Sequence, residues 1–331
     1  MLQYSHCLVK LKCIVTVKIM RKKYSIEVPI YSSSVGHLAK LNRLDDVEIV
    51  LYGGAPNSPL NGGRFNYVLD GLFLWNRIFF SLTKKQLARV SDKFYETLTQ
   101  ANQNNISFRL AFTNMFVARE ELNEENLYPV KRLVESYQKY GVKNGVILNN
   151  ALLEDHIRQR YGDQLVYVSS CTKYVSPHKL LTPGETLSMY LEDSGKYDFI
   201  CLTPQDSRRA GLMKDVLADA KSGIIAICNS YCADRCNSYY HYAYTSKENK
   251  KSILSVGLLG TIAGALTFIL PRAFTCSAFR QSFCKMDINK IAQMQLSAGI
   301  VNFKLGRGLG AKLIDRLVSL IRSSKEGHPD K

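Results

Sequence analysis

The run NGVILNNALLEDHIRQRYGDQLVYVSS, residues 144–170, decides how the chain is read. Asn144–Leu148 and Leu165–Ser170 are apolar runs of strand length, and Leu152–Tyr161 between them reads as a helix. A strand, a helix and a strand in so short a span form a crossover unit. The chain must pass back over the sheet before the second strand can run parallel to the first.

The unit repeats in both directions. Upstream, Tyr24–Tyr31, Val47–Tyr52 and Ser107–Thr113 read as strands, with helices at Ser34–Asn42, Lys84–Asn104 and Glu124–Tyr140, the last stopped by Gly141. Downstream, strands fall at Asp198–Leu202, Gly223–Cys228 and Ile300–Leu305, and helices at Gly184–Ser194, Asp206–Lys221, Asp287–Ala298 and Gly310–Ser323. Eight strands from Tyr24 onward, nearly all separated by a helix and with no composition break, predict an α/β fold, a closed (β/α)8 TIM-type barrel. An open doubly wound sheet would carry a phosphate loop such as GxGxxG after the first strand, and none is there. The expected organisation is a basic N-terminal extension over 1–23, a single barrel over 24–323 with an apolar insertion at 252–270, and a disordered basic tail over 324–331.

The totals are those of a folded protein: 331 residues, 46% hydrophobic and 22% charged. A formal charge of +16 suits polyanions or an anionic small molecule, although Lys and Arg are scattered apart from Arg21–Lys23 and Arg316–Lys331. The apolar run Cys7–Met20 is interrupted by Lys10, Lys12 and Lys18 and does not read as a secretory signal. Nine Cys, an odd number, then point to a reducing cytoplasm where clustered thiols bind metal. Ser252–Leu270 is 19 residues without a charge and contains Gly260 and Gly264 in a GxxxG, long enough for a bilayer. A buried helix or apolar hairpin is the reading preferred, because a span would separate Cys236 from Cys276. Docking of this segment on a partner protein or a membrane surface belongs to the alternative of a non-catalytic binding protein.

The chemistry concentrates in IAICNSYCADRCNSYYHY, residues 225–242, where Cys228, Cys232 and Cys236 recur every four residues ahead of His241. Converging thiolates favour zinc, copper(I) or an iron–sulfur cluster, whereas apolar packing does not call for so many Cys beside Asn229, Asp234, Arg235 and Asn237. In a barrel the segments after the strands build the site. Those segments hold Asn61 and Arg64 after the second strand, Asn114 after the third and Asn149 after the fourth. Cys171 follows the fifth strand, Asn229 the seventh and Arg307 the eighth, which itself carries Lys304. Lys304 and the arginines suit an anionic substrate, and His241 is the acid–base candidate.

The segment CNSYCADRCNSYYHY resembles a motif of one branch of the collagenase-like peptidase family, Asn-Glu-x-Cys-x-x-x-Cys-Pro-x-Arg-x-x-His-Tyr. That family includes proteins of oxygen-independent ubiquinone hydroxylation and of RNA base hydroxylation. Gly299–Arg307 resembles the family's Gly-Ile-x-x-Phe-Lys-Ile-Glu-Gly-Arg signature, and Asn61–Arg64 and Asn144–Ile147 also resemble the branch. The resemblance implies a TIM-type barrel with an iron–sulfur cluster, zinc being the alternative. It carries over Cys232, Cys236 and Cys276 as ligands and leaves the fourth as Cys171 or Cys284. It also matches Asn229, His241 and Tyr242, and demotes Cys228 to a core residue.

The departures are Ser230 for Glu, Asn237 for Pro, Ser238 or Tyr239 near the Arg, and no Glu before Gly306. They bear on substrate chemistry more than on metal binding. A radical-SAM cluster would need Cys-x-x-x-Cys-x-x-Cys, and the last interval here is one residue too long. No Ser-His-Asp order, HExxH or P-loop supports proteolysis. The expectation is a redox modification, of the oxygen-independent hydroxylation type, on a small molecule or RNA.

Overall fold

The computed structural model describes residues 24–56, 58–62, 84–229, 238–250, 287–306 and 311–326. Eight strands run parallel and close on themselves in sequence order. They are β1 (Tyr24–Pro29), β2 (Val47–Gly53), β3 (Ser107–Phe112), β4 (Gly145–Leu148), β5 (Val166–Ser169), β6 (Phe199–Cys201), β7 (Gly223–Ile227) and β8 (Asn302–Lys304). Closure is made by β8, which pairs with β7 on one side and with β1 on the other, Glu27 lying opposite Lys304. This is the (β/α)8 barrel that the alternation predicts, with α-helices and short 3-10 turns joining the strands. Several boundaries differ from the expectation: β8 covers only Asn302–Lys304 of the expected Ile300–Leu305, and two helices shift. A 3-10 turn at Asp206–Arg208 precedes a helix confined to Ala210–Asp219, and the last helix runs from Ala311 to Glu326, past the expected Ser323.

The helices start and stop where local chemistry satisfies their ends. Asn123 and Asn150 accept backbone N–H bonds from Asn126 and Leu153, capping the helices Glu124–Tyr140 and Ala151–Tyr161. Thr182 and Glu185 form a capping box ahead of Pro183, and Asp287 caps Ile288–Ser297. Gly141 ends its helix at φ 72°, a left-handed position that a Cβ would strain.

The strands and helices meet in one continuous apolar shell that includes Ile26, Ile49, Leu98, Phe108, Val130, Val146, Ile157, Met213, Phe303 and Ile314. Burial of this surface is the main force holding the helices to the sheet. Polar pins cross the shell, among them Asn42 on Ile49 N, Gln295 on Ile227 O, and Asn144. Asn144 receives hydrogen bonds from Asn102 Nδ2 (3.0 Å) and Phe108 N (2.9 Å) and donates to Asn102 Oδ1 (2.8 Å) and Leu133 O (3.2 Å). It ties β3 and the start of β4 to the helices Lys84–Gln103 and Glu124–Tyr140.

The lumen is a second, smaller cluster of Tyr52, Ala111, Ile147, Val168, Cys201, Ile225 and Ile227, with Cys171 and Phe199 packed against it. Toward its N-terminal end, the Phe199 ring takes the space that a side chain on Gly223 would need, since a Cβ there would sit 2.6 Å from the ring. Among the described residues no helix is long and apolar enough to cross a membrane, and 252–270 lies outside those residues.

Candidate functional site

Three strands each place one charged side chain in this lumen. Glu27 on β1 is fully buried and pairs with Arg109 of β3 and Lys304 of β8. Because β1 and β3 are not neighbours in the sheet, the Glu27–Arg109 pair spans the barrel interior. The cations also rest on aromatic faces, with Lys304 Nζ 3.7 Å from the Tyr52 ring centroid and the Arg109 guanidinium 4.3 Å from that of Phe199. Tyr52 is held in turn by its O–H donating to Leu305 O at 2.6 Å.

The network stays ionised. Burial works to raise the Glu27 carboxyl, but the Lys304 and Arg109 charges outweigh it and hold the group below its ordinary value. Burial works to lower Lys304, and Glu27 outweighs that, leaving the ammonium above its ordinary range. Two cations thus face one carboxylate, a surplus of one positive charge inside the barrel.

Above this floor sit two thiols. Cys201 ends β6, and Cys171 opens the 3-10 turn Cys171–Lys173 that follows β5, the neighbouring strand. The Cys201 thiol donates weakly to Leu202 O at 3.8 Å, and its nearness to Cys171 is the largest influence pulling the Cys171 thiol below its ordinary value. Burial opposes it, while the Lys304 charge and the nearness of Tyr242 and Ser170 add to it. The same nearness and burial push Cys201 up. Cys228 is different: burial raises it, and its thiol is spent on Gln295 Oε1 at 3.2 Å, behind the strand.

The helix Ser238–Lys250, which follows the Cys-rich stretch, lies across this rim. Asn249 Nδ2 donates to the carbonyls of Ser58 and Asn61, both at 2.9 Å. Ser246 meets Asn114 and Met115, Lys247 lies over the Phe116 ring, and Tyr240 O–H donates to Pro177 O at 3.0 Å. Tyr242 reaches Cys171. The helix therefore clamps the segments after β2, β3 and β5.

The rim asparagines divide by what their amides do. Asn114 is consumed in fastening backbone: it donates to Pro59 O and Ser246 O and accepts from Phe116 N. Asn149 donates to Thr113 O (3.0 Å) and Thr172 Oγ1 (2.9 Å), Asn61 donates to Ala55 O, and Asn229 accepts from Gly306 N. Each of these three keeps one buried polar atom without a partner among the described residues: Asn61 Oδ1, Asn149 Oδ1 and Asn229 Nδ2. Two acceptors and a donor at the mouth are groups a ligand could satisfy.

Of the residues singled out from sequence, the structure brings Cys171, Lys304, Asn149 and Asn229 to one end of the barrel. Asn61 and Asn114 are joined to the same rim through the clamping helix. Arg64, Cys232, Cys236, Cys276, Cys284 and Arg307 lie outside the described residues, and His241 belongs to the clamping helix with its side chain outside them. Among the described residues no three His, Cys, Asp or Glu side chains converge on a metal position. Sequence reasoning passed over Glu27 and Arg109 and left Cys201 as a structural residue. The signal for the first two was present: a lone charge inside an otherwise apolar strand, in YSIEVP and SFRLAF.

The fold and the rim define a (β/α)8 barrel protein with a thiol-bearing, charge-lined mouth. No family model and no curated protein matches the chain. Among solved structures, one that matches is that of the U32 peptidase Mk0906. It is 12% identical, with 86% of this chain and 93% of that chain covered and a TM-score of 0.44. A likeness of that degree carries no argument about chemistry.

Proposed function

We propose that the chain is a metal–thiolate barrel protein, in which the Cys-rich segment supplies Cys232 and Cys236, with Cys276, to the barrel mouth beside Cys171. The observation that carries this is the clamp: the helix that begins two residues after Cys236 is fastened across the rim, by Asn249 to Ser58 O and Asn61 O and by Tyr240 to Pro177 O in the segment that Cys171 opens. The donor set fits an iron–sulfur cluster. Cys171 is held toward the thiolate, the form that ligates a soft metal, and Lys304 beneath it offsets the negative charge. This favours Cys171 over Cys284 as the fourth ligand.

A bound cluster would supply one-electron redox chemistry. The chain's own residues do the rest. Cys201 and Tyr242 orient and polarise the Cys171 sulfur. The surplus cation in the lumen attracts an anionic substrate or charge-balances an anion at the mouth, and the free amide atoms of Asn149 and Asn229 orient it. Because these groups lie inside the barrel end rather than on an open surface, a small molecule suits them better than an RNA strand. The reaction class is an oxygen-independent hydroxylation or a related redox modification.

Anaerobic purification with iron, sulfide and zinc analysis tests the reading. Matched iron and sulfide are expected in the wild type, retained in Cys228→Ala and lost in Cys171→Ala, Cys232→Ala and Cys236→Ala. Zinc alone would make the site structural and favour a binding protein; equal loss in the Cys228 variant, or no metal at all, would overturn the assignment.

A further inference from the structure

The thiol pair at the mouth has a chemistry of its own. Cys171 is part-exposed and Cys201 is fully buried beside it, one on each of two neighbouring strand ends. Ser169 pairs with Ile200, so Cys201 falls opposite Ser170 and one residue short of Cys171. With a strand spacing of about 4.8 Å and a rise of about 3.3 Å per residue, the two Cα atoms are about 6 Å apart. That separation is within the range a disulfide bridges without backbone movement. Both side chains pack on the same lumen cluster. The Lys304 ammonium stands in the same lumen, over the ring of Tyr52 from that cluster, so the pair lies in an electropositive setting.

We propose that Cys171 and Cys201 form a thiol–disulfide exchange site, in which the accessible Cys171 attacks a small disulfide or similar soft electrophile and the buried Cys201 resolves the adduct. In the first step the Cys171 sulfur displaces one thiol from R–S–S–R, its proton leaving with that thiol, and a Cys171–S–S–R bond forms. In the second, the Cys201 sulfur attacks Cys171, releasing the second R–SH with the Cys201 proton. Two protein thiols are oxidised by two electrons, and one disulfide is reduced to two thiols. Division of labour follows from exposure: an oxidant reaches Cys171 from the mouth, and Cys201 is reached only through Cys171. In a reducing compartment such a bond is transient, and it removes Cys171 from any metal it would otherwise hold.

The site does not depend on the metal proposal, although the two share Cys171. The test therefore uses the full chain as purified and a full-length Cys232→Ser/Cys236→Ser variant in which Cys171 is left free of the Cys-rich motif. Each is equilibrated with graded ratios of reduced and oxidised glutathione, then alkylated and peptide-mapped. The variant should yield the Cys171–Cys201 linkage, and adding Cys201→Ala should arrest it at a glutathione adduct on Cys171. Before oxidation, iodoacetamide should label Cys171 at least tenfold faster than Cys201 or Cys228. Recovery of both thiols unlinked in the variant, linkage of Cys171 to another cysteine, or no adduct in the Cys201→Ala chain would overturn the proposal. Metal content measured on the same samples reports separately on the metal reading.

Discussion

The two faces of the eight strands carry opposite chemistry. The outer face and the helices over it share an apolar shell crossed by a few polar pins such as Asn102–Asn144, whereas the lumen holds a buried carboxylate, two cations and two thiols. The outer face is held chiefly by excluding water. The inner face is stable only if its charges stay matched, and it keeps one positive charge that no described carboxylate neutralises. Residues that could be exchanged for others of similar volume lie outside; residues whose chemistry is the point lie within.

Removing the lumen carboxylate should break the contrast most severely. Glu27→Gln leaves two buried cations without their counter-ion and should cost about 4 kcal/mol in urea unfolding. The sign with pH is fixed by the depressed carboxyl. Its contribution is present above the unfolded value and is lost as pH falls through the folded one, so wild-type stability declines in acid and the variant lacks that component. A variant as stable as wild type at neutral pH would show that the lumen charges do not hold the barrel.

On the outer face, Leu98→Ala opens a cavity in the shell and should cost about 3 kcal/mol, with the same acid limb as wild type. A changed acid limb would mean that the two faces are coupled. The Asn144→Ala change tests one of the shell's polar pins. It strips partners from Asn102 and from the Phe108 amide and should cost about 2 kcal/mol, with stability recovered little by an apolar residue of similar size such as Leu. Smallest is Thr182→Ala, which removes the cap at the exposed start of the Pro183–Asp193 helix and should cost about 1 kcal/mol by thermal unfolding.

How much of this could be read from residues alone differs between the faces. The strand–helix alternation was legible because each strand is an apolar run bounded by turn residues, as in Asn144–Leu148 between Gly141 and the Asn149–Asn150 pair. The rim was partly legible, since in a barrel the residues after each strand must gather at one end. That rule found Cys171, Asn149 and Asn229 but could not say that Asn114 is occupied by backbone while its counterparts keep a free atom. It also gave Asn144, a residue of the family-like stretch, no role, and the structure shows it pinning two helices.

By itself the sequence determined the parallel barrel, because strand and helix periodicities are local properties and right-handed crossovers leave few ways to join them. It also showed that three Cys and a His are gathered in one stretch, Cys228 to His241. Only the tertiary structure decided that Glu27, Arg109 and Lys304, hundreds of residues apart at the extreme, meet in one lumen, and that Cys171 faces Cys201 rather than Cys228. The reason is geometric. Which side chains face inward follows from parity along each strand, but which of them touch follows from the stagger of the closed sheet, and that is fixed only when the eighth strand pairs with the first.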